Sequence, residues 1–315
     1  MIVRRGGEWG RLLLAALVVG GCSAGDKIDT QFDTRVASPA YRADGPRVLF
    51  DEAHRNWHRA GGSYRPFVRL LGSDGYRVAT TSKRITAEAL RPYAVYLVAN
   101  AVGANERNDA AAFDDLECDA IRDWVASGGS LLLVTDHYPT GHAAESLAAR
   151  FGIQLSKGDV SDSMAFDPAF EPTHLVFSRK NGGLTAHPIV EGRSAAERIE
   201  RVLTFTGEAV RANPPAVGFL RLSDTAIARS PKATVEHKGS DVIVSVTYED
   251  PVPLPGWSQG VALEWGKGRV VVLGEAAMLT ARLRRNDGVR IGMNVPGYDN
   301  RQLALNLMHW LTRLL

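Results

Sequence analysis

The chain has 315 residues, of which 45% are hydrophobic and 23% are charged, so it can bury the core of one large domain or two modest ones. Its 31 glycines and 15 prolines are spread along the sequence, which excludes collagen-like and low-complexity chains. The net charge of +2 comes from the first 21 residues, where three arginines outnumber one glutamate, and 34 basic and 34 acidic residues remain beyond them. This balance gives no electrostatic reason to expect a nucleic acid as partner.

The N-terminus has the three parts of a secretory signal peptide. Arg4 and Arg5 precede the apolar run at 12–19, which is far shorter than the roughly 20 residues that span a bilayer. Two glycines then precede Cys22, a pattern that resembles the bacterial lipobox and implies lipid on Cys22 and loss of residues 1–21. An ordinary signal peptide or a signal anchor, with an incidental cysteine, is the alternative. Ser23 resembles the signal for outer-membrane sorting, so we expect an exported protein anchored through lipid on the periplasmic side of the cell envelope, at the outer membrane.

Without Cys22, the only remaining thiol is Cys118. A single cysteine forms no internal disulfide, and the spacing of a zinc–thiolate site is absent. Cys118 shares a helical face with Ile121 and Val125, which favours a small buried hydrophobe over a nucleophile.

After a polar stretch at 22–45 that indicates a tether, strands and helices alternate. Short connections between alternating strands and helices predict a doubly wound, mostly parallel α/β sheet of the flavodoxin-like kind. The predicted strands are Val48–Phe50, Tyr76–Thr80, Tyr93–Ala99 and Ser130–Thr135, and the predicted helices are Tyr64–Leu71, Thr86–Leu90, 113–127 and Thr140–Phe151.

The second half of the chain is predicted to be rich in β structure. Short strands separated by polar loops fill a segment at about 155–260. A glycine turn then joins Gly260–Trp265 to Arg269–Leu273, and an amphipathic helix follows at Asn300–Leu314. We expect the last strand and helix to return to the first sheet, which makes 46–315 one domain with a β-rich insertion.

Polar side chains follow several predicted strands. Ligands of open parallel sheets bind beyond the carboxyl ends of the strands, where loops and helix N-termini meet. The sequence therefore predicts one shared rim made by Asp51, Glu52, His54, Asn100, Asp136, His137, His142, Glu275 and Asn300.

This rim has three chemical interpretations. Its carboxylates and amides are suited to bind the hydroxyl groups of a polar small molecule or glycan without a reaction. Alternatively, Asp136 and His137 are candidate ligands of a divalent metal that activates water, with Glu52 or Glu275 as the base of a hydrolase. In the third, an acid paired with a histidine orients it as a general base. If none of these holds, Asp51 and Asp136 only cap the helices that follow them.

Three segments resemble the class I glutamine amidotransferase-like superfamily. They are Asp51-Glu-Ala-His54, the run from Gly128-Gly129 through Asp136-His137, and the run from Gly266 to Glu275 continued by 299–306. More narrowly, they resemble an uncharacterised exported bacterial branch related to gliding-motility and intraflagellar-transport domains. The resemblance covers about 45–155 and 260–315.

The chain departs from that superfamily at the position of its nucleophile. Amidotransferases carry a cysteine in the turn after the strand that corresponds to Ser130–Thr135, where this chain has Asp136-His137. Thiolate-based glutamine hydrolysis is therefore excluded. The resemblance implies a ligand-binding domain, for carbohydrate or a cell-wall fragment; a metal-dependent hydrolase or a non-catalytic scaffold for envelope proteins are the alternatives.

Overall fold

The computed structural model describes residues 26–42, 44–103, 110–138, 140–238 and 241–315, with only the backbone at 233–238 and 241–246. The predicted signal peptide and Cys22 lie outside the described residues. Over the ranges that are described, no helix is both long enough and apolar enough to cross a membrane.

The chain is a mixed α/β protein, as predicted. Its helices are α1 (Arg65–Ser73), α2 (Ala87–Leu90), α3 (Asp115–Ser127), α4 (Thr140–Ala149), α5 (Pro188–Glu191) and α6 (Asn300–Leu311). Its strands are β1 (Lys27–Ile28), β2 (Arg47–Asp51), β3 (Arg77–Thr81), β4 (Val95–Ala99), β5 (Ser130–Val134), β6 (Ile153–Leu155), β7 (Asp159–Asp162), β8 (Val176–Ser178), β9 (Arg201–Leu203), β10 (Val210–Ala212), β11 (Val217–Arg221), β12 (Ala226–Arg229), β13 (Pro231–Lys238), β14 (Asp241–Tyr248), β15 (Val252–Pro253), β16 (Ser258–Trp265), β17 (Gly268–Leu273), β18 (Ala281–Leu283) and β19 (Arg290–Gly292).

The largest sheet runs in the order β3-β2-β4-β5-β17-β16-β10-β6, and β11 also pairs with β16. Its first five strands are mutually parallel. Strand β16 reverses direction through the tight glycine turn that precedes β17, and the remaining strands continue antiparallel. The carboxyl ends of β2, β4, β5 and β17 therefore meet at one edge of the sheet.

Four of the parallel strands, β2, β4, β5 and β17, bury both of their faces, whereas β3 at the edge of the sheet is partly exposed. Side chains alternate along a strand, so Val48 and Phe50 of β2 pack in one apolar layer, together with residues of α1 and α6. Leu49 packs in the other layer, together with residues of α3 and α4. Strands covered on both sides read as continuous apolar runs, which is why these elements could be found from sequence.

Local signals place the helix ends. Thr86 caps α2 through its side chain, and Asp114 and Glu117 form a reciprocal capping box at the start of α3. Gly128 ends α3 with a φ of 129°, a conformation that favours glycine.

Between α4 and β17 the chain forms β6 to β16. Three of these strands, β15, β12 and β7, make a small antiparallel sheet, and β8–β9 and β13–β14 make two-stranded pairs. Strands β6, β10 and β16 join the central sheet, so this segment is continuous with the α/β core.

The segment that sequence indicated to be a tether is docked on the domain over its described part. Strand β1 pairs with β18, and the Asp29 amide donates to the Ala281 carbonyl oxygen at 2.9 Å. The Tyr41 hydroxyl donates to Thr312 Oγ1, also at 2.9 Å. These contacts correct the tether prediction, because main-chain pairing to a distant strand leaves no periodic signal in the sequence.

Candidate functional site

The predicted rim residues divide into two groups on the two faces of the sheet. Asp51 ends β2 and follows Leu49, which packs in the layer of α3. Asp136 follows Val134, which packs in the opposite layer, and accepts from the Ala276 amide there at 3.2 Å. Asp51 and Asp136 therefore do not belong to the one shared rim that their positions at strand ends predicted.

The first group, the His54 triad, consists of Asp51, His54 and Glu117. His54 Nδ1 lies 2.9 Å from both carboxylate oxygens of Asp51, and Nε2 lies 3.2 Å from Glu117 Oε1. Burial alone would lower the pKa of His54, but the two carboxylates outweigh it and raise the pKa above its ordinary value. All three side chains are buried, and Glu117 also accepts from the Ile85 amide, so the triad joins the end of β2 to α3.

The second group, the His137 cluster, consists of Asp136, His137, Asp159, Glu208 and Glu275. Asp136 Oδ1 lies 3.6 Å from His137 Nε2 and accepts from the His137 amide at 2.8 Å. Glu275 accepts from the amides of Ala277 and Met278 at 2.6 and 2.8 Å. The charges of Asp136, Asp159 and Glu208 thus act on one imidazole, and Glu275 lies beside Asp136. These carboxyl groups come from the ends of β5 and β17, from β7, and from the loop before β10.

Glu208 enters the cluster from the β-rich segment. Its amide donates to the Gly274 carbonyl oxygen at 2.7 Å, which fixes it beside the end of β17. Its carboxylate accepts from the Lys157 amide at 2.9 Å and lies over Gly141 in the first turn of α4. A Cβ at Gly141 would fall under 3.0 Å from both Glu208 carboxylate oxygens, so any larger residue there would force the Glu208 carboxylate to move.

Burial controls the protonation of the His137 cluster. Burial first, and the Asp136 charge second, raise the pKa of Glu208 to about 8, although the Thr135 side chain, the Lys157 amide and the charge of His137 oppose them. The same two causes hold the pKa of Glu275 well above its ordinary value, and burial raises the pKa of Asp159. The Glu208 carboxyl therefore keeps its proton at neutral pH.

The pKa of His137 is raised, although burial of its side chain acts to lower it. Burial would lower its pKa, but Asp136, and after it Asp159 and Glu208, raise the pKa above the ordinary value. The Nδ1 atom lies 3.0 Å from the Tyr138 carbonyl oxygen, which favours a proton on Nδ1.

Two carboxyl oxygens of this cluster have no hydrogen-bond partner among the described residues. They are Glu208 Oε1 and Asp159 Oδ1, and each atom is buried. The other Asp159 oxygen accepts from the Tyr248 hydroxyl at 3.1 Å, and the Tyr248 side chain is 55% exposed. Unpaired buried polar atoms are costly, so these two oxygens are the part of the cluster whose hydrogen-bonding capacity is unused.

Other predicted rim residues have local partners. Asn300 exchanges hydrogen bonds with the backbone of Leu203 and is buried, and Glu52 accepts from the Ala60 amide at 3.0 Å. Asn100 is different: it follows β4 in the left-handed region with a φ of 50°, it is buried, and neither polar atom of its side chain has a hydrogen-bond partner among the described residues. His142 lies one turn into α4, with its ring edge-on to Tyr138. A role of any of these residues in ligand binding stays a prediction.

The sequence also raised the questions of a metal site and of a reactive thiol at Cys118. Across the part of the chain that the structure describes, no three or more His, Cys, Asp or Glu side chains are arranged to hold a metal ion. Cys118 is buried within α3, where burial raises the pKa of its thiol. It packs as the small apolar residue that the sequence indicated.

Sequence reasoning missed Asp159, Glu208 and Glu117. The first two lie outside the strand ends of the parallel sheet, in a segment whose path over that sheet is not encoded by periodicity. A usable signal for Glu208 was its position directly after Gly207, within an otherwise apolar stretch. Gly207 has a φ of 98°, and a Cβ there would collide with Glu275.

No protein-family model and no curated protein matches this sequence. Among solved structures, the mmIFT52 N-terminal domain matches with a TM-score of 0.59 and 16% sequence identity, over 84% of this chain and 97% of that one. The two chains share a fold.

Two further solved structures match with lower scores. A putative ThuA-like protein from Bacteroides uniformis matches with a TM-score of 0.45 and 14% identity, over 87% of this chain and 94% of that one. A putative GMP synthase component from Thermoplasma acidophilum matches with a TM-score of 0.40 and 9% identity, over 87% and 97%.

Proposed function

We propose that this chain is a lipid-anchored protein of the cell envelope whose domain binds a hydroxyl-rich ligand, a carbohydrate or cell-wall fragment, at the His137 cluster. The domain would be a doubly wound member of the amidotransferase-like superfamily that lacks the nucleophilic cysteine, exported to the periplasmic side and held at the outer membrane through Cys22. The observation that carries the binding proposal is the pair of unpartnered buried oxygens on Glu208 and Asp159.

The protonation of the cluster supports a hydroxyl-bearing ligand. A carboxyl group that keeps its proton both donates and accepts a hydrogen bond, and so does each hydroxyl of a sugar. The pKa of Glu208, raised to about 8 by burial, leaves this carboxyl neutral at pH 7. A neutral carboxyl also avoids the cost of burying a further negative charge beside Asp136.

The surroundings of the cluster offer a second type of contact for a sugar. Tyr248 is bound to Asp159 and more than half exposed, so it places an aromatic ring where the buried carboxyls approach the surface. Aromatic rings supply an apolar face together with a polar edge, which suits the mixed surface of a pyranose.

The metal-dependent hydrolase is not the function that the geometry favours. Asp136 and His137 are adjacent, as that hypothesis required. However, the two carboxylate oxygens of Asp136 accept hydrogen bonds from the amides of His137 and Ala276. Within the described ranges, the cluster does not have the arrangement of a metal site.

Isothermal titration with soluble cell-wall glycan fragments tests the binding proposal. Wild-type protein should bind, and Glu208→Leu should weaken binding at least roughly tenfold, because leucine supplies neither the donor nor the acceptor of a protonated carboxyl. The matched control is Glu117→Leu, which changes a buried glutamate of the His54 triad and should leave the affinity of the folded protein within about twofold.

Two results would overturn the proposal. One is the absence of binding by wild-type protein to glycans of several linkage types, and the other is equal loss of affinity in both variants. If the wild-type protein binds a metal ion in a one-to-one ratio and Asp136→Ala does not, the result would favour the metal-dependent hydrolase.

A further inference from the structure

We infer that the surface around β1, β18 and β19 docks on the anionic phospholipid headgroups of the leaflet that holds the lipid anchor. This inference rests on the proposed lipidation of Cys22 and adds the orientation of the domain on the membrane. The docking surface, called the basic edge below, consists of Lys27, Arg284, Arg285 and Arg290.

The length of chain before the domain limits how far it can lie from the membrane. Asp26 follows Cys22 by four positions in the sequence, and an extended chain spans at most about 3.6 Å per residue. Asp26 would therefore lie within roughly 14 Å of the lipid-bearing residue.

The chain is fixed to the domain from Asp26 onward, so no further slack is available. Asp26 pairs with Arg282 at 3.3 Å, and each of the two side chains is only 6% exposed. The register continues with Lys27 opposite Leu283, and Asn294 Nδ2 donates to Asp29 Oδ2 at 2.9 Å. The sheet β1-β18-β19 is consequently the part of the domain nearest the anchor.

This nearest part carries an excess of positive charge. Lys27, Arg285 and Arg290 are exposed and Arg284 is half-buried. The exposed acids beside them are Asp287, which pairs with Arg284, and Glu171, whose charge also acts on Arg284; the Asp26 side chain is buried and pairs with Arg282. The chain beyond residue 21 has no net charge, so the positive charge at this end is balanced by negative charge elsewhere on the chain. Arginine and lysine near an anionic membrane surface are attracted to it, each by roughly fivefold in equilibrium constant.

Hydrogen–deuterium exchange of the full-length lipidated protein on vesicles tests this docking. On vesicles that contain phosphatidylglycerol, amides of 284–290 should exchange several-fold more slowly than on vesicles of phosphatidylcholine alone. The difference should vanish at about 1 M salt, where the Debye length falls to about 3 Å.

A triple variant identifies the residues responsible. Arg284→Gln, Arg285→Gln and Arg290→Gln together should abolish the protection on phosphatidylglycerol. The matched control replaces three exposed arginines elsewhere, Arg69→Gln, Arg91→Gln and Arg221→Gln, and should retain it. Circular dichroism verifies that both variants are folded.

The mass of the peptide that carries Cys22 separates the two proposals. A lipidated Cys22 with equal exchange on both vesicles overturns the docking inference and leaves the anchor in place. An unmodified Cys22 overturns both the anchor and the docking.

Discussion

The Glu208 carboxylate occupies the space that a Cβ on Gly141 would need. Gly141 belongs to the first turn of α4, and Glu208 comes from a loop that joins the cluster 67 residues later in the chain. The Glu208 carboxyl therefore packs against the N-terminal turn of α4. The position of this carboxyl depends on the absence of a side chain at Gly141.

Gly141→Ala should destabilise the protein and disrupt the site together. The new methyl group would force Glu208 to move, with a loss of about 1–3 kcal/mol, typical of overpacked positions. Gly72→Ala is the control, because this exposed position in α1 has no atom within 4 Å of the added carbon and should gain up to about 1 kcal/mol. Urea unfolding measures both, and an unaffected Gly141→Ala variant would contradict the packing described.

Glu208 should make the protein less stable as the pH rises. Its pKa is about 8 in the folded state against 4.5 for an ordinary glutamate, so the folded state holds a proton that the unfolded chain has released. Between these values, the free energy of unfolding should fall by about 1.4 kcal/mol per pH unit from this group. The raised pKa values of Glu275 and Asp159 act in the same direction.

Glu208→Gln should remove the contribution of Glu208 to this slope. Urea unfolding at pH 5, 6, 7 and 8 compares the variant with the wild type. Parallel pH profiles for the two proteins would show that Glu208 does not hold the extra proton.

His54→Gln should be strongly destabilising without altering the His137 cluster. It would leave the carboxylates of Asp51 and Glu117 buried without the imidazole between them, and breaking a buried ionic pair typically costs about 3–5 kcal/mol. Thermal unfolding measures the loss. A shift in the melting temperature of less than a few degrees would mean that the triad is not a structural link between β2 and α3.

Cys22→Ser should release the protein from the membrane. Without the thiol there is no site for lipid, and within the described residues no helix can replace the anchor by spanning the bilayer. Cell fractionation after expression checks this, with Cys118→Ser as the matched control that should stay with the membrane. Co-fractionation with membranes of a Cys22→Ser variant whose mass shows that residues 1–21 have been removed would refute the lipid anchor.

The sequence predicted the elements of the parallel core well, because their signals are local. Val95–Ala99 and Ser130–Val134 are uninterrupted apolar runs, and Thr86 and Gly128 mark helix ends by their own conformational preferences. Such signals do not depend on where the rest of the chain lies.

The candidate site was predicted only in part, because its geometry depends on faces and on distant contacts. Asp51 belongs to the last position of its strand, whereas Asp136 lies beyond the end of β5, and this difference directs them to opposite layers. Glu208 reaches Asp136 through the path of the β-rich segment, which no periodic pattern specifies.

The most direct test of the central claim is the carboxyl carbon-13 signal of Glu208, followed by NMR across pH with and without a cell-wall glycan. We predict an apparent pKa near 8 in the free protein and a changed chemical shift when the glycan is added. A titration near the ordinary glutamate value, together with a signal that does not respond to any glycan, would contradict a protonated carboxyl that binds sugar hydroxyls.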